Sequence, residues 1–438
     1  MLRHPLRGDG LKQSTRGDRW YYSYLPGNIA GGATSTLIPL FALILGASAA
    51  EVGIIAAAAS IASVPAFMLW GGLSDRTGRR RVFAVIGFVG MALSFFAMAA
   101  STDIPHLYLS NILLGALSAA AAPVGTVLIM EMSKRAEWPD RLALFSRIGG
   151  VGFIAGLAIG AFWLQGFSGP WGPTGSMRAL FLAGALLSAL SAVMAWRWIE
   201  DPEVTIKRSH IPLAEHLYLA VERVRFLPSR LLHYFSFFGN HDEKRQAYSG
   251  VLKTYYVSVI LLFSGFTAFY AVFPVFLAGP VGFSGSQIFA IYIASQTVSA
   301  IVYSRVGRVI SKVGARKVQL AGATARIILF PAFLALVIFP IGIGAAFAAA
   351  LIIHGLIGAS WALINVAGST IVSRLAPKDG HAQTFGLYNA VQGIGSIAGP
   401  LLGGFTAEIY GYGGGFALAS GIIMAGVIIL AFLKIQED

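Results

Sequence analysis

Few residues in this chain are placed to do chemistry, and several of them share one short stretch. In "GGLSDRTGRRR", residues 71–81, Asp75 precedes Arg79 by four, the spacing at which side chains meet on one helical face. Arg76, Arg80 and Arg81 complete a basic cluster. Gly71 allows close helix contact and Gly78 permits a tight turn. The chemistry on offer is reversible ion pairing: a carboxylate that holds a base, or the positive end of a neighbouring helix, and releases it. Elsewhere His354 is suited to carry a proton near neutral pH or to bind a ligand. Arg326 and Arg147 are suited to an anion. All three lie in apolar runs, where an ionisable group is expensive and is a functional candidate by default.

Other chemistries are poorly represented. Cysteine is absent, which removes disulfides, thiolate metal sites and a cysteine nucleophile. There is no glycine-rich phosphate loop ending in Lys-Ser/Thr and no His/Glu metal spacing. "GIGSIAG" at 393–399 has spaced glycines but no strand before it, so it reads as helix packing. We therefore expect no enzyme activity, no cofactor and no metal.

The elements that must position these residues are transmembrane helices. The 438 residues are 56% apolar and 12% charged, about half the charge of a soluble protein. Apolar runs long enough to span a bilayer recur at 21–45, 51–72, 81–101, 106–131, 141–166, 178–199, 252–278, 285–306, 317–340, 343–373, 384–407 and 414–434. The expected fold class is an all-α membrane protein of twelve transmembrane helices. The 52 glycines suit close helix approach in lipid, and a β-barrel would show short alternating segments instead.

The net charge of +13 is a topology signal rather than a nucleic-acid footprint. With twelve spans, 30 of the 32 basic residues fall on one side, only Arg178 on the other, and Arg326 inside a span. Both termini are then cytoplasmic, residues 1–20 form a cytoplasmic tail, and anionic lipid headgroups are the natural partner. Residues 201–250 form a mostly polar linker. Within it Leu213, Leu217, Val221, Val224, Leu227, Leu231 and Phe235 lie on one helical face, as in an interfacial amphipathic helix. The segments on either side, 21–200 and 251–438, repeat. "WYYSYL" at 20–25 matches "TYYVSV" at 254–259, and "LIPLFALILGASAAEVG" at 37–53 matches "VFPVFLAGPVGFSGSQI" at 272–288. The opening stretch matches "GRVISKVGARK" at 307–317. A nearly constant offset over three pairs implies two six-helix units.

On these residues the chain resembles the major facilitator superfamily. That superfamily's loop between spans two and three reads G-x-x-x-D-R-x-G-R-R-R, and Gly71, Asp75, Arg76, Gly78, Arg79, Arg80 and Arg81 meet every fixed position. The second copy keeps Gly307, Lys312, Gly314, Arg316 and Lys317 and loses the acid to Ser311. "IAGPLLGG" and "SRLAPKDGHAQTFGLYN" also look like this superfamily. The resemblance implies two six-helix bundles that rock about a central site, exposing it alternately to the two sides. It gives Asp75 and Arg79 the role of an inner latch, facing the N-terminal end of span eleven near Gln383–Phe385. Glu131 and Arg141 are the matching pair.

The resemblance also ranks candidate ligand residues. Spans four and ten normally line the cavity, so His354 and its counterpart Asn111 are candidates; members often carry an Arg at the Asn111 position, linked to proton coupling. Span nine is normally peripheral, so Arg326 reads first as a structural pair with a neighbour's carbonyls or hydroxyls. Tyr24, Asn28, Thr34 and Ser35 on span one, Phe266 and Tyr270 on span seven, Trp361 and Asn365 on span ten, and Tyr388, Asn389 and Gln392 on span eleven complete an aromatic, sparsely polar pocket. The implied function is a secondary transporter of a small molecule, a monomer in the cell membrane, driven by a gradient. One reading is proton-coupled movement of an amphipathic, drug-like compound. The other is facilitative or anion-selective uptake of an organic anion or metabolite, using Arg147, Arg326 or His354. A sensor or scaffold without transport is the remote third. Span one lacks a carboxylate and span five lacks a Gly-Pro, which weakens an export reading.

Overall fold

The structure, a computed structural model, describes residues 19–134, 137–201, 250–376 and 381–434. Most of the N-terminal tail and the expected amphipathic helix of the 201–250 linker lie outside the described residues. Among the described residues the regular structure is helical throughout, as a chain must be if it hides its backbone in lipid without a closed barrel.

A 3-10 turn at Arg19–Tyr24 leads into α1 (Leu25–Ser35) and α2 (Leu37–Ile44), which together form one span interrupted at Thr36. The next helices are α3 (Ala49–Thr77) and α4 (Arg80–Ala100). A further span is divided into α5 (Ile104–Ser118) and α6 (Ala122–Met132), and α7 runs from Trp138 to Trp198. The second half has α8 (Gly250–Ala278) and α9 (Gly285–Val313). It continues with α10 (Ala315–Ala332), the short α11 (Ala335–Ile338), α12 (Ile343–Leu375) and α13 (His381–Phe432).

Among the described residues ten runs are long and apolar enough to cross a membrane, where twelve spans were expected. The difference lies in α7 and α13, whose apolar stretches cover 59 and 49 residues. Straight helices of that length would reach about 88 and 74 Å, more than twice the hydrocarbon thickness. Each contains one glycine outside helical geometry, Gly172 (φ 69°, ψ 162°) and Gly411 (φ 72°, ψ 174°). Such left-handed φ values suit glycine because it has no Cβ to clash. The chain reverses at both points. Trp163 Nε1 donates to the Ser176 carbonyl at 3.0 Å, across thirteen residues that would span about 20 Å in a straight helix. Likewise a Cβ placed on Gly415 would sit 3.4 Å from the Gly403 carbonyl oxygen. Each of these runs is therefore a hairpin of two antiparallel legs.

The repeat read from sequence is carried by matching local devices. Ser48 with Glu51 and Ser284 with Gln287 form capping boxes at the starts of α3 and α9. Gly78 and Gly314, both at positive φ, end the same two helices. In α5, Gly115 packs on the Ala59 carbonyl of α3, and in α12, Gly358 packs on the Ser295 carbonyl of α9. Neither glycine has room for a Cβ, as expected where small residues let helix backbones touch.

The buried side chains fall into three groups. One core joins the two halves at the end remote from the 71–81 loop, from Phe41, Val52, Phe95, Leu164 and Phe181 to Phe273, Phe289 and Phe416. At the loop end each half has its own core, around Leu73, Phe83 and Leu128 in the first and Tyr255, Ile310 and Val372 in the second. Among the described residues the buried apolar side chains join the halves at one end and form separate clusters at the other. Gly358→Val should force the α9–α12 contact apart and cost about 1–3 kcal/mol, the usual cost of overpacking. Gly307→Ala, which meets nothing within 4 Å, should be neutral or slightly stabilising. Thermal melting of the two purified variants checks the contrast.

Candidate gate and central groove

The 71–81 loop is organised around Arg80. Because Gly78 turns the chain at φ 67°, Arg79 leaves the helical face and points outward, while Arg80 tucks beneath the end of α3. Only 4% of Arg80 is exposed. Its Nη1 donates to Ser74 Oγ at 2.7 Å and to Asp75 Oδ1 at 2.8 Å. Its Nε and Nη2 grip the two Glu131 oxygens at 3.0 and 2.6 Å. This two-pronged fork is the strong form of an Arg–carboxylate contact. It locks α3, α4 and α6 together at one point.

This corrects the expected pairings. Asp75 pairs with Arg80, not Arg79, because the helix ends at Thr77 and cannot continue the i, i+4 register. Glu131 also pairs with Arg80, whereas Arg141 bonds Glu137 within its own turn at 2.9 Å. Gly71 meets nothing within 4 Å, so the helix contact expected of it is not made. Arg76 lies in the last turn of α3, where a cation complements the helix dipole. Arg81 closes the first half: its backbone N–H donates to Asp201 at 2.7 Å and its side chain to the Ile199 carbonyl, with Trp196 beneath the guanidinium at 5.8 Å.

At the remote end the halves meet through α3 against α13 and α7 against α9. Gly53 packs against Pro400 and Gly404, Gly160 against Phe289, and Ser286 Oγ donates to Gln165 Oε1 at 2.7 Å. The Ala50 N–H, at the start of α3, lies 3.4 Å from Glu408 Oε2 near the end of the first leg of α13. Glu408 is thus a carboxylate of one half set at a helix N-terminus of the other. It was missed in the sequence because its partner is a backbone end, which has no residue signature.

Toward the loop end one helix carries a groove. On α12 a groove of about 500 Å³ is bordered by Asn365, Ser369, Thr370, Ser373 and Arg374. Trp361, Asn365, Ser369 and Ser373 repeat every four residues, so neighbouring members stack and the row winds slowly around the helix. The polar residues beyond Asn365 went unnoticed because serine and threonine are common in such helices. Asn389 and Arg147 are exposed, and Gln392, Tyr270 and Asn28 partly so. Asn28 Nδ2 donates to the Tyr24 carbonyl at 2.8 Å.

Other expected ligand residues are buried or hydrogen-bonded to the backbone. Tyr24 is buried and its hydroxyl donates to the Ala121 carbonyl at 3.1 Å. Thr34 bonds back to Ala30. Ser35 is exposed but bonds back to the Gly32 carbonyl, and Phe266 is buried. Tyr388 is 5% exposed, stacked on Tyr255 at 6.4 Å. Asn111 and His354 make the same contact in the two halves: Asn111 Nδ2 donates to Ile55 O at 2.7 Å, and His354 Nδ1 to Ile291 O at 2.9 Å. Since a carbonyl only accepts, Nδ1 carries the proton and Nε2, buried without a partner, presents a lone pair in the neutral ring. Phe273 and Tyr292 enclose that ring at 5.1 and 5.0 Å. Arg326 is 1% exposed and bonds Ser360 Oγ at 2.9 Å and the Ile357 carbonyl at 3.4 Å, tying α10 to α12 as first expected of it.

Arg80→Lys can satisfy only part of this set with a point charge, so it should cost about 1–3 kcal/mol. Arg79→Lys, at an exposed position, should leave stability nearly unchanged. Melting temperatures of both variants test the hub.

Comparisons with known proteins agree with this architecture. The sequence profile described as Major Facilitator Superfamily matches residues 24–366 and 255–438. Multidrug resistance protein 2 of Bacillus subtilis (strain 168) is 25% identical over 385 residues, covering 86% of this chain and 85% of its own. Quinolone resistance protein NorA of Staphylococcus aureus is 25% identical over 172 residues, 39% of this chain and 42% of its own. The crystal structure of a variant of the nucleoside transporter NupG superposes with a TM-score of 0.70 at 15% identity, covering 95% of this chain and 99% of that one. With its duplicated helical halves and its arginine loop, the chain belongs to the major facilitator superfamily and is a multi-pass membrane transporter.

Proposed function

We propose that this protein carries a small, drug-like amphipathic molecule across the cell membrane by alternating access. The observation that supports it most is the divided core: one shared core at the remote end, two separate cores at the loop end. A pair of bundles packed this way is closed at one end and open at the other, and rocking about the shared core would reverse it. On this reading the hairpins at Gly172 and Gly411 each cross twice, giving twelve crossings. The arginine loop and both termini are cytoplasmic, in keeping with the one-sided basic residues. The drug-like cargo rests on the multidrug and quinolone resistance relatives, which also favour outward movement over uptake.

In this scheme Arg80 holds Asp75 in place beside the mouth of the gap. Asp75 can then meet the positive N-terminal end of α13 when the loop end closes. Glu408 on the start of α3 is the corresponding contact when the remote end closes. The two ends therefore use one kind of bond, a carboxylate on a helix N-terminus of the opposite half. Proton coupling, where it operates, falls to His354, because its unpartnered Nε2 is the one buried imidazole acceptor among the described residues.

Three outcomes are expected. Asp75→Asn should slow transport of a fluorescent quinolone in proteoliposomes at least tenfold while leaving its binding measurable; unchanged turnover removes the latch. His354→Ala should flatten the pH dependence of transport between about pH 5 and 8; an identical profile removes that proton site. Because the chain has no cysteine, Ser369→Cys should be the single thiol. A membrane-impermeant maleimide should label it in inverted vesicles and not in right-side-out ones; the reverse pattern overturns the sidedness.

A further inference from the structure

The membrane interior of this protein holds a positive charge with no carboxylate partner among the described residues. Arg326 keeps its charge where a lysine would shed it. Its guanidinium lies over three rings, Phe266 at 4.3 Å, Trp361 at 5.3 Å and Phe330 at 5.7 Å, and Nη1 has no hydrogen-bond partner. Among the described residues no carboxylate forms an ion pair with it. The acids of the helices sit at their ends: Glu51 and Glu408 remote from the loop, Asp75 and Glu131 beside it.

The position of that charge relative to the groove gives it a use. Trp361 is partly exposed and lies one turn before Asn365, the first residue of the groove that runs through Ser369 and Ser373 to Arg374. Arg326 stands behind the Trp361 ring, one side chain away from that row. The α12 wall therefore has a fixed positive charge at each end, with neutral amide and hydroxyl groups between. A unit charge beside Trp361 would lie about 9 Å from the guanidinium, within the range at which Coulomb interactions in a protein remain appreciable. The three rings spread the buried charge without cancelling it.

We propose that the cargo is an organic anion with an aromatic or apolar body. Its anionic group passes from Arg374 along α12 to the Trp361 layer, where its ring can rest on Trp361. Arg326 sets the charge preference through the aromatic wall without touching the cargo, and is a positioning residue. This rests on the transport reading above and deepens it.

The test uses three matched probes: 2-naphthoate, its neutral amide 2-naphthamide, and the cation trimethyl(2-naphthyl)ammonium. Binding to the purified full chain is read by quenching of tryptophan fluorescence. The wild-type protein should bind 2-naphthoate at least about tenfold more tightly than the cation. Arg326→Gln and Arg326→Lys should both abolish that ratio with the amide's affinity kept, since a lysine buried there gives up its charge. Equal or tighter binding of the cation, no saturable binding of the anion, or an unchanged ratio in Arg326→Gln overturns the proposal. A purely structural role would lower the melting temperature and leave the ratio alone. Should Arg326→Gln fail to fold, the wild-type ratio and Arg326→Lys still decide. Proteoliposome flux separates the two readings: 2-naphthoate bound but not moved counts against transport alone, and preferential movement of the cation counts against the anion alone.

Discussion

Everything in this fold follows from the cost of leaving a polar group unpartnered in hydrocarbon. That cost makes the backbone helical and pushes the acids to the helix ends. It also dictates what the few interior polar groups do. Asn111 and His354 each take a carbonyl of the neighbouring helix. Arg326 takes a serine and a carbonyl and rests the remainder of its charge on rings. Arg80, nearer the surface, can draw two carboxylates to itself because both reach it from helix ends.

The two halves solve this problem in parallel and then diverge. Capping boxes, glycine stops and the α3–α5 and α9–α12 contacts recur at equivalent places, so each half is a similarly built lever. The differences are electrostatic. The first half keeps an acid in its arginine loop, where the second has Ser311; the second half keeps the imidazole of His354, where the first has Asn111, and carries Arg326 away from any carboxylate among the described residues, whereas Arg80 of the first half grips two. A symmetric scaffold with asymmetric charges has its gate contacts mainly in one half and its interior field in the other.

Motion is built in by where apolar contact is continuous. The shared core at the remote end is aromatic and tightly interlocked, with Phe269 and Phe330 stacked at 3.8 Å. At the loop end the halves keep separate cores, so they can move there without exposing either one. Helix legs joined by glycine hairpins and a span interrupted at Thr36 give the bundles places to yield.

Much of this was legible in order of residues alone. Apolar run length marked the spans to within a few residues, because burial in lipid is a one-dimensional signal. The repeat and the arginine loop identified the superfamily, and the ionisable candidates were easily found because they are few. What the sequence could not determine was partnership. Asp75–Arg79 had the right spacing, and Gly78 broke it by turning the chain, so Arg80 became the hub. Glu131 and Arg141 lie close in sequence yet bond elsewhere. Tyr24 and Tyr388 looked like ligand groups and are buried against a carbonyl and a neighbouring ring. Spacing decides which residues share a face of one helix; which helix that face meets, and hence which charges are paired, buried or left open to a cargo, is decided only when the helices assemble.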